Sequence, residues 1–433
     1  MTTEVYLGLG SNQGDRRDYL RRALAALREA GVQLQAVSPP LETPAAIPPT
    51  APSPWHRPFL NLVAKGRVDT SPGALLAGIE AIHTDLGRAD RRPGAPRPVD
   101  IDILLWGDER YQSPELTIPH PRMHQRSFVL APLVLLEPSL VIPGQPSGRT
   151  VLEWCRRLPH YPPWWMGIVN ITPDSFSDGT KDFAWQAMAP RIEAMVAAGV
   201  HIVDLGAEST RPGAEALTAA EEWQRLAPVL EPLLDHYRHD WARPWFSVDT
   251  YHPETAARAL ALGVDIINDV SGLTRAPMVE LAAGSKAQWV AMHHLSLPAH
   301  RQVTLPEDQD PVDAIEQWLE QRLEAWEAAG LDYDRVIVDP GLGFGKTPFQ
   351  SLTLLRELER LKTAYGLRLL IGHSRKSLIT VFSDAPPPER DLETLGLSLA
   401  LGTQGVEILR VHDVAAHVRV HRAFAHALPA DPR

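Results

Sequence analysis

Two aspartates in a short apolar stretch are the first residues whose spacing suggests chemistry. Asp100 and Asp102 stand two positions apart in VDIDILLWG, residues 99–107. Alternate side chains of a strand point to the same face, so both carboxylates would lie side by side. Burial of two unpaired carboxylates would be costly, whereas a carboxylate pair can hold magnesium ions against the phosphates of a nucleotide. We therefore predict a metal site here, with a chance pair of strand-end aspartates as the alternative.

Another set of polar residues recurs at intervals after residue 164. Eight short apolar runs in this part of the chain each end on residues that can hydrogen-bond or carry charge. They are Asn170, Asp204, Asp249, Asn268, His293, Asp339, the Ser374-Arg375-Lys376 group, and Arg410 with His412. For one aspartate taken alone, capping of the following helix is a sufficient explanation. The same pattern at all eight run ends indicates one shared site instead.

These apolar runs alternate with helical patterns, and the alternation predicts the fold that positions the polar residues. The runs cover residues 166–171, 201–206, 245–249, 265–269, 289–293, 336–339, 369–372 and 406–411. Eight strand–helix units across residues 165–433 are typical of a TIM (β/α)8 barrel, in which active sites lie at the carboxyl ends of the strands. A doubly wound open sheet is the alternative, although six strands are more usual there.

The first part of the chain has a different order of strand and helix patterns. Strand patterns lie at residues 5–10, 34–37, 61–68 and 99–105, and helical patterns lie at 15–30, 73–86 and 122–136. Strands and helices in this order predict a ferredoxin-like α+β domain over residues 1–158. The proline-rich residues 159–164 form the predicted linker to the barrel domain at 165–433.

Composition and charge exclude several classes of protein. Of the 433 residues, 44% are hydrophobic and 22% are charged, as expected for two or three globular domains. The sequence has no apolar run of about 18 residues and no signal-peptide pattern, so we expect neither a membrane span nor secretion. The single cysteine, Cys155, fits a reducing cytoplasm. A net charge of −11 argues against nucleic-acid binding.

Seven motifs in the barrel region resemble those of one enzyme family, dihydropteroate synthase of folate biosynthesis. In chain order they are NITPDSFSDG at 170–179, ESTRPG at 208–213, SVDT at 247–250, IIND at 266–269, DPGLGFGK at 339–346, SRKS at 374–377 and RVHDV at 410–414. Each motif is weak alone, but seven in order are specific. The resemblance implies that pyrophosphate leaves a pterin and that the amine of p-aminobenzoate then attacks. The loops at 172–181 and 209–214 would close over the site and exclude water.

The resemblance also implies roles for individual barrel residues. Carboxylates and amides can pair with the polar edge of a pterin, and the implied pterin site comprises Asp249, Asn268, Met292, Asp339 and Lys376. The implied pyrophosphate site comprises Asn170 as the magnesium contact, with Arg211, Arg410 and His412. The implied catalytic residues are Lys376 and Arg410. Thr210, Phe344 and Ser377 resemble the aminobenzoate pocket, although Phe344 also fits simple packing.

Residues 4–158 resemble the pyrophosphokinase that activates hydroxymethyldihydropterin and so makes the barrel's substrate. The motifs are GLGSN at 8–12, ETP at 42–44, FLN at 59–61, LGR at 86–88, VDIDILLWG at 99–107 and TIPHPRMHQRSFVL at 117–130. The resemblance implies Mg²⁺ at Asp100 and Asp102, with ATP as co-substrate. It implies pterin binding by Thr43, Pro44, Phe59, Asn61 and Phe128, nucleotide binding by Arg88, Arg97, Thr117, His120 and Arg126, and catalysis by Arg88, Arg97 and Asp102.

This half departs from the family pattern at several positions. The RWGPR element of the family reads RRPGAPR at 91–97, and His83 replaces a glutamate. Glu115 stands where an arginine often contacts the nucleotide. The loop at 44–58 is long and rich in proline, and Trp55 within it is a candidate cover for the site. Because both metal carboxylates remain, we predict that this half is active.

We therefore predict a bifunctional folate-biosynthesis enzyme. Its first reaction is the Mg–ATP-dependent pyrophosphorylation of 6-hydroxymethyl-7,8-dihydropterin, and its second is condensation of the product with p-aminobenzoate to 7,8-dihydropteroate. Two alternatives remain, namely an active synthase with a degenerate, structural N-terminal domain and a folate-dependent methyltransferase barrel. The resemblance further implies Mg²⁺ in both domains, small-molecule substrates only, and a homodimer formed through barrel helices.

Overall fold

A computed structural model describes residues 2–47, 50–90, 92, 94–145, 147–172, 185–210, 215–300 and 302–428. The chain divides into two compact units. One comprises Met1–Pro162 with His239–Arg243 and His421–Arg433, and the other comprises Pro163–Arg238 with Pro244–Val420. Within the described part of the chain, no helix is long and apolar enough to cross a membrane.

The N-terminal unit is a layer of helices on an antiparallel sheet. Its elements are β1 (Thr3–Ser11), α1 (Arg16–Glu29), β2 (Gln33–Val37), β3 (Leu41–Thr43), β4 (Phe59–Val68), α2 (Pro72–Asp85), β5 (Asp100–Trp106), β6 (Tyr111–Gln112), β7 (Thr117–Ile118), α3 (Ser127–Leu136) and α4 (Val151–Arg156). The strand order is β2-β4-β1-β5, with β3 added to β4. Apart from the short β3, the chain runs βαββαβ through this sheet, which confirms the predicted ferredoxin-like fold.

Alternation along the strands decides which side chains face the helices of this unit. Ile101 and Ile103 of β5 lie in the core with Leu20 of α1 and Ile79 of α2. Since side chains alternate along a strand, Asp100 and Asp102 point to the other face. A register shift after Ile103 interrupts the alternation, and Trp106 lies in the core with Ile101. The predicted helix at 122–136 begins only at Ser127, because the preceding residue has an extended backbone with φ −114° and ψ 113°.

The second unit is a barrel of eight parallel strands surrounded by helices. Its elements are β8 (Trp164–Asn170), α5 (Trp185–Ala198), β9 (Ile202–Gly206), α6 (Ala219–His236), β10 (Trp245–Asp249), α7 (Pro253–Leu262), β11 (Ile266–Asp269), α8 (Ala276–Gly284), β12 (Gln288–Met292), α9 (Pro311–Ala328), β13 (Val336–Asp339), α10 (Pro348–Arg356), α11 (Leu358–Tyr365), β14 (Arg368–Ile371), α12 (Asp391–Thr403), β15 (Ile408–Val411) and α13 (Val414–Ala427). The sheet closes in chain order, with β15 pairing β8. Closure confirms the TIM barrel and rules out the open sheet.

The barrel strands are buried almost throughout, as expected for parallel strands covered by helices. The first strand begins at Trp164, the last residue of the predicted linker, and this side chain is only 1% exposed. Two outer helices begin with capping boxes, in which Thr218 pairs with Glu221 and Thr347 with Gln350. Such caps satisfy the free amides of the first helical turn and so fix where each loop ends. The loops between strands and helices then surround one end of the barrel.

Candidate active sites

An arginine and two aspartates form a hydrogen-bonded group at the carboxyl ends of the barrel strands. Arg410 Nε donates to Asp204 Oδ2 over 2.7 Å, and a terminal guanidinium nitrogen donates to Asp249 Oδ2 over 2.8 Å. Asn268 Nδ2 donates to the same Asp204 oxygen over 3.2 Å. Burial raises the pKa of Asp249 to about 7, and the Arg410 guanidinium opposes this rise. Four of the eight strand-end positions therefore converge.

A lysine and an aspartate lie beside this group. An ideal Cβ on Gly372 would lie 3.9 Å from both Asp339 Oδ2 and Lys376 Nζ, so both charges face that glycine. Burial lowers the pKa of Lys376 to about 8, while the Asp339 carboxylate acts in the opposite direction. Burial also raises the pKa of Asp339, whose Oδ1 accepts a 2.7 Å hydrogen bond from Gly341 N. Opposite charges from β13 and the turn after β14 thus meet over a position that has no side chain.

An apolar surface accompanies these charges. It consists of Tyr251, Val270 and Met292, with Leu297 and Phe344 packed against them. Met292 ends β12 directly beside Asp339 in the strand register, and the Phe344 ring centroid lies 4.8 Å from Lys376 Nζ. A flat heterocycle can stack on such a surface while its polar edge meets carboxylates and amides.

The residues predicted to hold pyrophosphate are partly described. Asn170 is half-buried at the end of β8. The Nδ1 atom of His412 lies 2.9 Å from Ser374 Oγ, which joins the turns after β14 and β15. Arg211 lies outside the described residues, as do residues 173–181 and 211–214 of the two predicted covering loops.

The residues predicted for the aminobenzoate pocket are less enclosed. Ser377 is exposed, and its Oγ would lie 4.0 Å from a Cβ on Gly343. Thr210 is half-buried, and its carbonyl oxygen accepts a 3.3 Å hydrogen bond from Ala299 N. Phe344 is half-buried beneath Lys376. The predicted pocket thus combines two residues with hydroxyl groups, Thr210 and Ser377, with the aromatic ring of Phe344.

In the N-terminal unit, two arginines contact one of the paired aspartates. Arg88 lies 2.8 Å from Asp100 Oδ1, and Arg97 lies 2.8 Å from Asp100 Oδ2. Asp102 differs, because burial and the Asp100 carboxylate raise its pKa to about 7. Both aspartates face away from the α1 and α2 core that holds Ile101. Two carboxylates on one face are ligands that Mg²⁺ prefers, and a cation would keep Asp102 ionised, so the donor set fits this metal.

Three residues predicted to bind pterin in this unit lie together across β3 and β4. Asn61 Nδ2 donates to Thr43 Oγ1 over 2.9 Å, and Thr43 is opposite Phe59 in the strand register. A Cβ on Gly10 would lie 2.8 Å from Asn61 Oδ1 and 3.4 Å from the Phe59 ring. The glycine therefore leaves space for both side chains. Pro44, also predicted, follows β3 and is half-buried.

Three of the predicted nucleotide residues, Thr117, His120 and Arg126, lie on the segment that follows β6. His120 N donates to Leu104 O over 2.9 Å, which fixes this segment to β5 two residues beyond Asp102. Burial and the Arg126 guanidinium lower the pKa of His120 to about 4. The Arg126 guanidinium carbon lies 5.4 Å from the centroid of the Phe128 ring. Thr117, in β7, is exposed.

Comparisons with known proteins assign a family to each part of the chain. Residues 166–412 match the family model described as pterin binding enzyme, and residues 6–138 match that of 7,8-dihydro-6-hydroxymethylpterin-pyrophosphokinase. The folate synthesis bifunctional protein of Chlamydia muridarum is 38% identical, and the alignment covers 97% of each chain. The chain belongs to the bifunctional folate-synthesis family.

Further relatives of this family extend the comparison. The mitochondrial folate synthesis bifunctional protein of Arabidopsis thaliana is 33% identical over 95% of this chain and 80% of that protein. The solved dihydropteroate synthase of Xanthomonas albilineans with 4-aminobenzoic acid is 35% identical, with a TM-score of 0.55 over 62% of this chain and 94% of that one. The synthase of Anaplasma phagocytophilum with bound 6-hydroxymethylpterin-monophosphate is 34% identical, with a TM-score of 0.55 over 62% and 99%.

As a member of the folate-synthesis family, the chain is a bifunctional transferase. One domain is a pyrophosphokinase that uses ATP to activate hydroxymethyldihydropterin, and the other is a dihydropteroate synthase. The function predicted from the sequence is thus confirmed. Neither the methyltransferase nor the degenerate N-terminal domain finds support in these matches.

Asp204 was not predicted as a site residue, although it stands at the end of a predicted strand. Asp204 is fully buried, and it is the common acceptor for Arg410 and Asn268. Its partner Arg410 lies 206 positions away in the sequence. A buried acid at the end of a parallel strand needs a hydrogen-bond or charge partner. The polar residue at the end of this apolar run was therefore the signal that could have identified Asp204.

A second polar cluster in the synthase barrel was also missed. Among the residues that the structure describes, ligand atoms of Glu208, Glu222 and His252 lie within 4.8 Å of one another, as a metal site would require. Each carboxylate already accepts protein hydrogen bonds. His252 Nε2 and Tyr251 O–H lie 2.9 and 2.5 Å from Glu208, and Thr250 O–H lies 2.7 Å from Glu222. Hydrogen bonds within the cluster therefore connect the segment after β10 to the segment after β9.

His83, which departs from the kinase pattern of the family, contacts β5, the strand that carries Asp100 and Asp102. Its side chain is buried, and its Nε2 accepts a 3.0 Å hydrogen bond from Ile101 N. Arg88 lies 3.0 Å from its other ring nitrogen. The imidazole thus contacts the backbone between Asp100 and Asp102 as well as one arginine of the site. Its sequence position alone did not reveal this contact.

Proposed function

We propose that the barrel orients its pterin substrate through Asp249, Asn268 and Asp339, with Met292 against the ring. The observation that supports this assignment is the joining of Arg410 to Asp204 and Asp249 at the centre of the strand ends. Asp249 and Asp339 accept hydrogen bonds from donors within the protein and can exchange these donors for the amino and ring N–H groups of a pterin. Their positions on β10, β11 and β13 restrict the pterin to one orientation.

We propose that the opposite end of the substrate meets the cationic residues. Arg410, His412 and Arg211 would disperse the charge that develops as the bond from the pterin methylene carbon to pyrophosphate oxygen breaks. The p-aminobenzoate nitrogen then forms a bond to that carbon and loses a proton. Lys376 would hold the pterin beside Asp339, with Thr210, Phe344 and Ser377 around the aminobenzoate. The protein supplies position and charge, and none of these steps uses a protein nucleophile.

In the kinase domain, we propose that Asp100 and Asp102 hold Mg²⁺. Bound there, the cation would neutralise the phosphates of ATP. Arg88 and Arg97, which contact Asp100, would move to the phosphates as the nucleotide binds. The remaining assignments are pterin binding by Thr43, Pro44, Phe59, Asn61 and Phe128, and nucleotide binding by Thr117, His120 and Arg126.

A second magnesium site, in the barrel, is also part of the proposal. Asn170 offers one amide oxygen at the end of β8, and the pyrophosphate itself would supply further oxygens. The half-buried position of Asn170 at the strand ends supports this assignment. Omission of Mg²⁺ from the condensation reaction, with pterin pyrophosphate supplied, tests it directly.

The decisive experiment is a coupled assay on the full chain with ATP, hydroxymethyldihydropterin and p-aminobenzoate. We expect AMP release and dihydropteroate formation, both dependent on Mg²⁺. Lys376→Ala and Asp249→Ala should abolish condensation without unfolding the chain, while AMP release continues. Near-normal condensation in both variants would refute the barrel assignment. Condensation of supplied pterin pyrophosphate without any AMP release would refute an active kinase domain.

We also propose that the protein forms a homodimer through barrel helices. Large apolar side chains are exposed on and near neighbouring outer elements, with Phe349 of α10 at 62%, Phe382 at 52% and Leu392 of α12 at 80% exposure. The turn Ser377–Val381, which precedes Phe382, contacts α10. Sedimentation should give a dimer for the wild type and monomers for Phe349→Glu with Leu392→Glu. A monomeric wild type at micromolar concentration would contradict this proposal.

The remaining assignments concern the chain as a whole. We propose a kinase domain at 1–158, a linker at 159–164 and a synthase domain at 165–433, supported by the family matches that end at 138 and begin at 166. A buried cysteine without a disulfide, Cys155, is compatible with a reducing cytoplasm, where we propose the enzyme acts on small molecules and not on nucleic acid.

A further inference from the structure

Lys346 is a buried lysine that the proposed condensation chemistry does not use. It is 4% exposed and follows the glycine-rich segment 341–345. Its Nζ atom lies 2.7 Å from His293 Nδ1 and 3.3 Å from His293 O. The carbonyl oxygens of Gly341 and Phe344 lie 3.1 and 3.0 Å away. Four acceptors from two segments thus surround one ammonium group, which has three protons to donate.

The backbone around this ammonium group cannot easily adopt another path. Gly341, Gly343 and Gly345 have φ values of 67°, 78° and 76°, which residues with a side chain rarely adopt. A Cβ on Gly341 would overlap the His293 carbonyl oxygen, and a Cβ on Gly345 would overlap the Leu295 side chain. The segment therefore runs in direct contact with the end of β12. Carbonyl oxygens that converge from both sides repel one another unless a cation lies between them.

The segment held by Lys346 supports the proposed catalytic lysine. Lys376 Nζ donates to Leu342 O over 2.7 Å and lies 4.8 Å from the centroid of the Phe344 ring. Leu342 and Phe344 both lie between the glycines of the segment. A shift of this segment would therefore move the Leu342 carbonyl oxygen, to which Lys376 donates, and the Phe344 ring proposed to contact aminobenzoate.

We propose that Lys346 is a positioning residue for aminobenzoate binding, whose ammonium group fixes segment 341–345 and thereby places Phe344 and Lys376. This inference rests on the proposed roles of Phe344 and Lys376. The charged and titratable groups that face Lys346 are Asp339 from β13, Lys376 from the turn after β14, and His293 with His294 after β12. Burial lowers the pKa of Lys346, and the Asp339 carboxylate opposes this shift and so favours the ammonium form.

The test is Lys346→Met in the full-length protein, with Lys362→Met as the matched control. Lys362 is 6% exposed and donates to Gln404 O over 2.6 Å, but it lies on α11, which leads into the amino end of β14. We expect Lys346→Met to raise the KM for p-aminobenzoate by about tenfold or more, with a smaller change for pterin pyrophosphate. Lys362→Met should lower the melting temperature without this change in KM.

Two further measurements separate positioning from general stability. Hydrogen–deuterium exchange of the peptide covering 341–347 should accelerate in Lys346→Met and not in Lys362→Met. AMP release by the kinase domain of the same molecule should remain unchanged in both variants. If Lys346→Met does not fold, Lys346→Gln, whose amide retains two donors, should fold and show an intermediate KM for p-aminobenzoate.

A KM for p-aminobenzoate that stays at the wild-type value in a folded Lys346 variant, with unchanged exchange at 341–347, would overturn the inference. That result leaves the proposed function intact, because the variant would still condense its substrates. Failure of the wild type to condense pterin pyrophosphate with p-aminobenzoate would instead refute the proposed function itself. The two failures are therefore distinguishable in one set of assays.

Discussion

The two active sites of this chain differ in where the arginines that contact their aspartates are attached. In the barrel, Arg410 belongs to β15 and contacts acids on β9 and β10. In the kinase domain, Asp100 and Asp102 belong to β5, but Arg88 and Arg97 belong to the connection between α2 and β5. The Arg410 contacts of the barrel are therefore set by strand geometry, whereas the Asp100 contacts of the kinase domain are made by residues outside regular structure.

This difference predicts how substitutions at each site would affect stability and activity. Removal of a strand-borne arginine that contacts two acids leaves both acids without their cation. An arginine on a connecting segment can leave its carboxylate for a phosphate, as the kinase reaction requires. We therefore expect barrel variants to combine lost activity with lost stability, and kinase variants to lose activity alone.

The largest effect should come from Asp102→Asn in the kinase domain. Loss of a metal carboxylate should lower the rate of AMP release by about 10³-fold, or about 4 kcal/mol of activation free energy. Condensation of supplied pterin pyrophosphate should stay at the wild-type rate, and the melting temperature should not fall. The control is Asp85→Asn, at the exposed end of α2, which should leave both rates unchanged. Retention of more than a tenth of the kinase rate in Asp102→Asn would contradict the metal assignment.

In the barrel, Arg410→Met should lower the condensation rate by about 10²-fold or more. Since it leaves Asp204 and Asp249 without their shared cation, it should also lower the free energy of unfolding by about 3–5 kcal/mol. Denaturant unfolding and steady-state kinetics measure the two quantities. Arg410→Lys keeps the charge but not the fork-shaped pair of donors, so it should lose less stability. If Arg410→Met proves as stable as the wild type, the contrast drawn between the two sites is wrong.

His83 provides a smaller and more local test in the kinase domain. His83→Leu removes the acceptor for Ile101 N and should lower the kinase rate by about tenfold, as loss of a residue behind a metal ligand often does. His83→Gln retains an acceptor and should recover most of the rate. Calorimetric affinity for Mg²⁺ with an ATP analogue should follow the same order. Equal affinities in the two variants would show that His83 only fills space.

The last prediction concerns the pH dependence of the two reactions. Burial lowers the pKa of Lys376 to about 8, so its ammonium group is lost as the pH rises through that value. Burial raises the pKa of Asp249 to about 7, so its carboxylate is protonated as the pH falls below that value. The kcat/KM for condensation should therefore peak between about pH 7 and 8 and fall about tenfold by pH 9. The kinase site uses arginines, which keep their charge, so it should lack this alkaline loss. Similar alkaline losses in both reactions would remove this distinction.

Much of the fold was predictable because periodicity reports burial directly. The eight barrel strands and the four long strands of the ferredoxin-like domain appear where the patterns predicted them, with end shifts of a few residues. The helix expected at 122–136 was partly wrong, because hydrophobic spacing does not reveal the extended residue before Ser127. Apolar patterns specify which face is buried, but not where one backbone angle interrupts a helix.

The candidate sites were predictable in outline and not in their connections. The sequence determined that polar residues end all eight barrel strands and that Asp100 and Asp102 share a face, because both follow from strand spacing alone. Only the tertiary structure decided that Arg410 joins Asp204 to Asp249, that His83 holds Ile101, and that Lys346 joins two loop segments. Each of these contacts depends on closure of a sheet or on loops that meet in space. The order of residues along a chain does not fix which distant atoms come within hydrogen-bonding distance.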